Sequence, residues 1–152
     1  MDNFDRKILW QLQRDSNATR SEVAQSVGLS ESQVMRRRQS LEAAGLIRRY
    51  RADIDARRLG FSVTAFVHVK LAGHSDGNAR HFRDLVNTTK GILEAHALTG
   101  DFDYVLKICV RDLDGLRELV NGVLLQHKSV DRVRSEIVLE TLRDDQILAL
   151  DP

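Results

Sequence analysis

The chain has little cysteine and proline and no long apolar run. Its single cysteine, Cys109, excludes a disulfide or a cysteine-rich zinc site within one chain. Cys109 lies in the apolar run 105–110, where a buried structural thiol is expected. No apolar run reaches the roughly 20 residues that span a bilayer, and charged residues follow Met1 where a signal peptide would be apolar. We therefore expect a cytoplasmic protein.

Motifs that support catalysis or metal binding are also missing. The histidines have no paired metal-ligand spacing such as H-x-x-x-H, and the chain has neither a Gly-rich phosphate loop nor a G-x-S-x-G nucleophile elbow. We expect no cofactor, no metal ion and no enzymatic activity. The five histidines are His68, His74, His81, His96 and His127.

Charge is abundant, and its two signs are divided unequally along the chain. Apolar residues make up 42% and charged residues 30%, which is typical of a folded soluble protein. Residues 1–60 carry 12 Lys+Arg against 8 Asp+Glu, net +4, whereas residues 61–152 carry 11 against 14, net −3. Unless this asymmetry is due to chance, a polyanionic partner is expected to meet the first half.

Helix signals dominate the first half. Apolar residues recur at spacings of three and four, which predicts a first helix from about Asp5 to Asp15. The capping boxes Thr19-Arg20-Ser21-Glu22 and Ser30-Glu31-Ser32-Gln33 predict where a second and a third helix begin. Gly28 ends the second helix and Gly45 the third, so only a tight turn separates the two.

The pattern changes after Gly45 to a connector that ends near Gly60, where the domain boundary is expected. Residues 1–47 form the helix-turn-helix domain, and apolar residues among arginines predict a connecting strand and ordered linker over 48–60. From Val63 the apolar residues alternate with period two, and residues 61–152 follow the order βαββαβ. The expected strands are 63–71, 92–98, 104–110 and 133–139, and the expected helices lie around 82–86 and 113–124.

The fold class that follows is α+β, with an N-terminal winged helix-turn-helix domain and a ferredoxin-like βαββαβ domain. In the ferredoxin-like arrangement two helices cover one face of a four-stranded antiparallel sheet. The other face of the sheet needs a partner, which predicts self-association of the second domain.

The second and third helices carry the features of a DNA-binding helix-turn-helix. Such a motif places its second helix in the major groove. Arginine bonds guanine O6 and N7 or clamps phosphate, and Gln33 can pair with adenine. Arg48, Arg49 and Arg51 lie just beyond, as a wing or backbone contact requires. Alternatively, arginines 36–38 form a solvated helix face. The candidate DNA-binding residues are Ser30, Ser32, Gln33, Met35, Arg36, Arg37, Gln39, Ser40, Arg48 and Arg49.

Motifs spread along the chain resemble those of the leucine-responsive and asparagine regulator (Lrp/AsnC, feast/famine) family. They are Met1-Asp2-x-x-Asp5-x-x-Ile8-Leu9, Val27-Gly28-Leu29-Ser30, Arg36-Arg37-x-x-x-Leu41-Glu42-x-x-Gly45-Leu46-Ile47 and Leu98-Thr99-Gly100-Asp101-Phe102-Asp103-Tyr104. The resemblance implies a prokaryotic, nucleoid-associated regulator of transcription that binds specific double-stranded DNA. It implies a small effector, an amino acid, that modulates DNA binding or assembly. It also implies homodimers joined through the C-terminal sheets that assemble into tetramers or octamers.

The resemblance also places the effector between subunits near the hairpin 98–104. Backbone N–H groups at this turn can hold a carboxylate, and Asp101 or Asp103 can hold an ammonium group. Alternatively, the two aspartates are present only because aspartate favours turns. The matching candidate effector-binding residues are Leu98, Thr99, Gly100, Asp101, Asp103, Tyr104, Ser135 and Glu136.

Two residues depart from the family pattern. Arg38 stands where an apolar residue is usual, so either the third helix packs differently or Arg38 extends outward along its aliphatic stem. Glu136 stands beside Ser135 where a small polar residue is usual. It either favours a cationic effector side chain or is a surface carboxylate.

Two other functions remain open at the level of sequence. Sirohaem decarboxylases resemble this family in fold, so an enzyme is one alternative, although the basic helix would then have no explanation. The other is a DNA-organising protein that has little sequence preference and no effector.

Overall fold

The computed structural model describes residues 1–73 and 75–150, and the chain divides into two compact units. The first unit comprises Met1–Asp53 together with the C-terminal residues from Arg143, and the second comprises Ile54–Leu142. His74, one of the histidines considered above, lies outside the described residues. No helix in the described ranges is long and apolar enough to cross a membrane.

The first unit contains α1 (Asn3–Arg14), α2 (Arg20–Val27) and α3 (Glu31–Ala43). Both predicted capping boxes are present, at Thr19 and at Ser30. Gly28 ends α2 in the left-handed conformation, with φ 74°. A third box between Asp2 and Asp5 begins α1 two residues earlier than predicted, because Asp2 accepts a hydrogen bond from the Asp5 backbone.

The core of this unit lies where the three helices meet. Ala24 is buried on α2, where its single methyl group takes little space in the core. Because the buried side chains fix the angle between α2 and α3, they determine which face of α3 reaches solvent. The core residues are Ile8, Leu12, Ala18, Val23, Ala24, Val27, Val34 and Leu41.

The connecting strand predicted within 48–60 is not formed. Residues 48–55 have no regular secondary structure, and residues 56–60 form a turn in which Leu59 and Phe61 donate backbone hydrogen bonds to Ala56. The prediction was wrong because a strand needs a hydrogen-bonded neighbour, and no described part of this chain pairs with the segment.

The C-terminal segment belongs to the first unit, whereas the sequence had assigned it to the second domain. The Leu148 backbone N–H donates to Gln13 Oε1 at 2.8 Å, and Gln13 Nε2 donates to the Leu148 carbonyl at 3.3 Å. This pair of hydrogen bonds joins the segment to the side of α1. Sequence periodicity did not show it, because a single glutamine carries the contact.

The second unit contains β1 (Val63–Leu71), α4 (Asp76–Thr88), β2 (Ile92–Ala97), β3 (Tyr104–Val110), α5 (Leu113–Arg117) and β4 (Val130–Ile137). Its strands form a four-stranded antiparallel sheet in the order β2-β3-β1-β4, which confirms the ferredoxin-like prediction. Its core joins the sheet to Phe82 of α4 and to Leu116, Leu119 and Leu124.

Strand β1 separates the two faces of this sheet. Ala65, Val67 and Val69 are fully buried against the helices, and we call this side the helix face. Phe66 and His68 alternate with them and lie on the opposite side, which we call the open face. The faces of β3 and β4 follow from the register, since each residue lies beside its partner on β1.

Two elements differ from their predicted form. After α5 the chain continues as a π-helical segment, Glu118–Leu124, in which the Leu125 N–H donates to the carbonyl of Val120. Strand β4 begins at Val130 rather than near residue 133, because its pairing with β1 extends to Leu71. Leu139, predicted within that strand, is 94% exposed.

Replacing a core leucine tests this assignment. Leu106→Ala removes a fully buried side chain from β3 and should lower the free energy of unfolding of the second unit by about 2–5 kcal/mol. Leu139→Ala is the matched control, because that side chain is exposed and its loss should change stability by less than about 0.5 kcal/mol. Urea unfolding followed by circular dichroism measures both. Equal losses from the two substitutions would contradict the described core.

Candidate nucleic-acid interface and effector site

Helix α3 presents a polar, cationic surface to solvent. Arg36 is exposed, and no residue in the described ranges forms an ion pair with it. The candidates around it are exposed as well, and Met35 adds an apolar contact surface. The exposed predicted residues on the helix are Ser32, Gln33, Met35, Arg36, Gln39 and Ser40.

The side chains of Ser30 and Gln33 form the N-terminal cap of α3. The Ser30 backbone N–H donates to Gln33 Oε1 at 3.0 Å, and the Gln33 N–H donates to Ser30 Oγ at 3.3 Å. Satisfying these backbone groups fixes where α3 starts. Gln33 keeps its amide N–H donors for a partner, whereas Ser30 contributes mainly to the cap.

Arg37 points back toward α1. Its Nη1 lies 2.8 Å from Asp2 Oδ2 and 2.7 Å from Asp5 Oδ1, and its guanidinium lies 5.5 Å from the centre of the Phe4 ring. The hydrogen bonds to Asp5 and Asp2 raise the pKa of Arg37. The pKa of Asp2 is lowered by the hydrogen bond from the Asp5 backbone and by Arg37. The contact of Arg37 with DNA stays a prediction, and the structure shows a guanidinium that α1 already holds.

Arg38 extends outward and lies over Tyr50, so the second of its two sequence alternatives is correct. Its guanidinium carbon is 4.5 Å from the centre of the Tyr50 ring. Its Nε donates to Tyr50 Oη at 2.8 Å and to Glu42 Oε1 at 3.2 Å. Tyr50 is a residue that sequence reasoning did not include in the site. A lone aromatic residue among arginines was the available signal.

Arg48 and Arg49 follow α3 on the irregular segment and are exposed, as is Arg51. No carboxylate of the described chain forms an ion pair with any of the three. Together with Arg36 they concentrate unneutralised positive charge on and just after α3, which is the electrostatic requirement for contact with phosphates.

The predicted effector turn is present between β2 and β3. Its two arms are joined by a hydrogen bond from the Leu98 N–H to the carbonyl of Asp103 at 2.8 Å. Gly100 has φ 116°, a conformation that favours glycine. Thr99, Gly100 and Asp101 are exposed, so the rim of the turn is available to a ligand.

Asp103 joins the turn to strand β1. Its Oδ2 accepts a hydrogen bond from the Leu71 N–H at 2.7 Å, and its Oδ1 lies 3.3 Å from Lys70 Nζ. Its own backbone N–H donates to the Val69 carbonyl. The structure therefore shows Asp103 as a residue that shapes the turn, and its predicted bond to an effector ammonium group stays a prediction.

Tyr104 lies on the helix face. It is opposite buried Val69 in the register, and its ring centre is 4.8 Å from that of Phe82. The resemblance had assigned Tyr104 to the effector site together with the turn. The alternation of β3 instead directs its side chain into the packing between sheet and helices.

Ser135 and Glu136 lie on opposite faces of β4. Ser135 pairs with Val67 and belongs to the helix face, whereas Glu136 pairs with Phe66 and belongs to the open face. Glu136 Oε2 lies 3.4 Å from His68 Nε2, and its Oε1 lies 3.1 Å from Arg134 Nη2. Within this chain the two residues do not meet in one pocket. Glu136 is a surface carboxylate beside His68 and Arg134.

Phe102 is a second residue that the sequence-based site left out. The guanidinium carbons of Arg132 and Arg134 lie 5.2 and 5.1 Å from its ring centre, and the His68 ring centre lies 5.5 Å away. These contacts tie the turn between β2 and β3 to β1 and β4 across the open face. Its position between two turn-forming aspartates concealed it. In the described ranges no cluster of His, Cys, Asp or Glu is suited to hold a metal ion.

Two family models match the chain, each over a different stretch of it. Residues 1–48 match the winged helix-turn-helix DNA-binding family, and residues 64–148 match the Lrp/AsnC ligand binding domain. The glutamate uptake regulatory protein of Zymomonas mobilis is 34% identical over 150 residues, covering 99% of this chain and 91% of that protein. The leucine-responsive regulatory protein of Escherichia coli is 32% identical, covering 99% and 92%.

Solved structures agree with this over nearly the whole chain. A transcriptional regulator from Neisseria meningitidis, solved as a complex with L-methionine, has a TM-score of 0.95 and 31% identity, covering 99% of this chain and 97% of that one. A regulator of the AsnC family from Agrobacterium tumefaciens has a TM-score of 0.92 and 32% identity, covering 99% and 98%.

A winged helix-turn-helix joined to a ligand-binding domain defines a DNA-binding regulator of transcription. This chain belongs to the Lrp/AsnC family of such regulators. The family resemblance and the fold class predicted from the sequence are both confirmed.

Loss of Arg37 should destabilise the first unit in a pH-dependent way. The folded-state pKa of Asp2 lies below its usual 3.8 because Asp2 accepts a hydrogen bond from the Asp5 backbone and pairs with Arg37. These contacts of the ionised carboxylate therefore stabilise the fold above about pH 3.8. That contribution is lost as the pH falls through the folded pKa. The urea midpoint of Arg37→Ala should therefore lie below that of the wild type at pH 7, and the gap should narrow below pH 3.8.

The neighbouring Arg36→Ala is the control for this comparison, since Arg36 is exposed and its midpoint should follow the wild type at both pH values. Urea titrations at pH 7 and pH 3 supply the measurement. A midpoint for Arg37→Ala that equals the wild type at pH 7 would show that the ion pairs with α1 contribute nothing to stability.

Proposed function

We propose that the protein binds operator DNA with the exposed side of α3 in the major groove and with Arg48 and Arg49 on the flanking phosphates. The observation that carries this is a set of three exposed cations, Arg36, Arg48 and Arg49, that form no ion pair within the described ranges. They lie on or just after a helix whose start is fixed by its cap. The base-contacting candidates are Ser32, Gln33, Met35, Arg36, Gln39 and Ser40.

We also propose that an amino acid is the effector and that it binds at the exposed rim of the turn between β2 and β3. The backbone N–H groups around Gly100 suit a carboxylate, and the Asp101 carboxylate suits an ammonium group. The Neisseria regulator of the same fold was solved with L-methionine, which supports an amino acid as the ligand class. In this proposal Asp103 and Phe102 hold the turn in shape.

We infer a homodimer joined through the open faces of two sheets, with further assembly into tetramers or octamers as the family resemblance implies. Phe66 is 40% exposed at the centre of this face. The pairs Glu94–Lys107 and Arg134–Glu136 place both signs of charge around it. A two-fold arrangement can then set each cation beside a carboxylate of the other copy. As a DNA-binding regulator of transcription, the protein is proposed to act at the nucleoid in the prokaryotic cytoplasm.

The matched families and the relatives named as regulators favour this function over the enzyme alternative. DNase footprinting upstream of the protein's own gene, with and without each amino acid, separates a regulator from a DNA organiser. Protection altered by one or a few amino acids supports the regulator. Protection indifferent to all of them supports a DNA-organising protein without an effector.

Removing Arg36 should weaken DNA binding and reduce its salt dependence. Arg36→Ala deletes an exposed cation on α3, so the slope of log Kd against log salt should fall by about one unit for a lost phosphate contact. Loss of a base contact would instead cost about 1–3 kcal/mol on the operator alone. Arg83→Ala, an exposed arginine on α4, is the control and should leave both values unchanged. Fluorescence anisotropy at several salt concentrations would refute the assignment if Arg36→Ala matched the wild type.

Removing Asp101 should weaken effector binding. If its carboxylate holds the ammonium group, Asp101→Ala should raise the Kd of the effector about 10- to 100-fold, the range given by a charge-assisted hydrogen bond. Asp131→Ala removes an exposed carboxylate on β4 and should leave that Kd unchanged. Isothermal titration with the amino acid found by footprinting provides the comparison. Equal affinities for wild type and Asp101→Ala would remove Asp101 from the site.

A further inference from the structure

Tyr50 lies within the run Arg48-Arg49-Tyr50-Arg51, which we call the arginine segment, residues 48–51. The segment has no regular secondary structure, and its three arginines are exposed. Within the described ranges, residues 48–53 make no hydrogen bond other than those of the Tyr50 hydroxyl. In the described ranges, the hydrogen bonds that join this cationic segment to α3 therefore all come from one side chain.

The Tyr50 hydroxyl forms a hydrogen-bonded cluster with the side chains of Arg38 and Glu42 on α3. It accepts from Arg38 Nε at 2.8 Å and donates to Glu42 Oε1 at 2.7 Å. Arg38 Nε also donates to Glu42 Oε1 at 3.2 Å, and the Arg38 guanidinium covers the face of the Tyr50 ring at 4.5 Å. Arg38 and Glu42 are one helical turn apart, so both project from the same side of α3.

The three groups satisfy one another electrostatically. The hydrogen bonds from Tyr50 and Arg38 lower the pKa of Glu42. Partial burial and the hydrogen bond to Glu42 raise the pKa of Tyr50, which is still 40% exposed. Because the charge of Arg38 is engaged by Glu42, Arg38 is not available as a free cation in the way that Arg36 is.

We propose that Arg38, Glu42 and Tyr50 form a clamp that fixes the arginine segment to the side of α3, and that Tyr50 is a positioning residue for the phosphate contacts of Arg48, Arg49 and Arg51. The inference rests on the DNA interface proposed above. Without the clamp, the segment has to be ordered each time DNA binds, and ordering a free loop reduces affinity. The clamp also gives a role to the arginine that departs from the family's apolar pattern.

The test compares hydroxyl-deletion variants of the two tyrosines in the full-length protein. Tyr50→Phe keeps the ring beneath the guanidinium and removes both hydrogen bonds of the hydroxyl. Tyr104→Phe is the matched control, because in the described ranges the Tyr104 hydroxyl makes no hydrogen bond and its ring packs on Phe82. The probe is a fluorescein-labelled random-sequence duplex of about 30 base pairs, since phosphate contacts are independent of sequence.

Tyr50→Phe should bind this duplex about three- to tenfold more weakly than the wild type, with a smaller salt slope. Tyr104→Phe should match the wild type, and both variants should keep its far-ultraviolet circular dichroism. Arg38→Met, which removes the guanidinium but keeps an unbranched stem, should reproduce the weaker binding of Tyr50→Phe. If Tyr50→Phe has the affinity and salt slope of the wild type, the clamp is refuted.

A second comparison separates positioning from a general effect on the fold. In the background Arg48→Ala/Arg49→Ala/Arg51→Ala, adding Tyr50→Phe should cause no further loss of affinity, because the cations that it positions are gone. An equal loss in both backgrounds would overturn the positioning role. If the triple arginine variant itself binds as the wild type does, the proposed phosphate contacts fail. If it binds weakly while Tyr50→Phe does not, only the clamp fails.

Discussion

The alternation of strand β1 is the constraint on which the second unit depends. This strand pairs with both β3 and β4, so its two-residue period determines which side chains of all three strands meet the helices. Ala65, Val67 and Val69 occupy the helix face, and a shift of register by one residue would bury His68 and Lys70 instead. Such a shift would place charges in the core, so the register is strongly specified. The position of the turn between β2 and β3 follows from it, because Asp103 bonds to the end of β1.

In the first unit, three consecutive arginines of α3 make three different sets of contacts. Arg36 is exposed, Arg37 bonds to carboxylates of α1, and Arg38 bonds to Glu42 and Tyr50. Consecutive residues of a helix point about 100° apart, so identical side chains reach three different environments. A count of cations on α3 therefore overstates the charge available to DNA. Arg36 is left exposed on α3, Arg37 is bonded to α1, and Arg38 is bonded to Tyr50 of the following segment.

Local signals in the sequence predicted most of the fold. Capping boxes at Thr19 and Ser30 and the alternation from Val63 act between near neighbours, so they are visible without a structure. The strand within 48–60 was wrong because strand formation depends on a distant partner. The site was less predictable for the same reason. Its side chains contact residues about 20 to 35 positions away in the sequence, as Asp103, Tyr104 and Arg37 do. No rule of local spacing predicts such contacts.

The opposite orientation of Ser135 and Glu136 has a consequence for divergence within the family. Although adjacent in the gene product, they belong to different faces of β4, so a single codon change at either position alters one surface and leaves the other intact. The charge of the open face can then change through Glu136 while Val67, the partner of Ser135 in the register, keeps its place in the core. In the dimer proposed above, which pairs through the open faces, paralogues in one cell can acquire distinct pairing preferences in this way without rebuilding their shared fold.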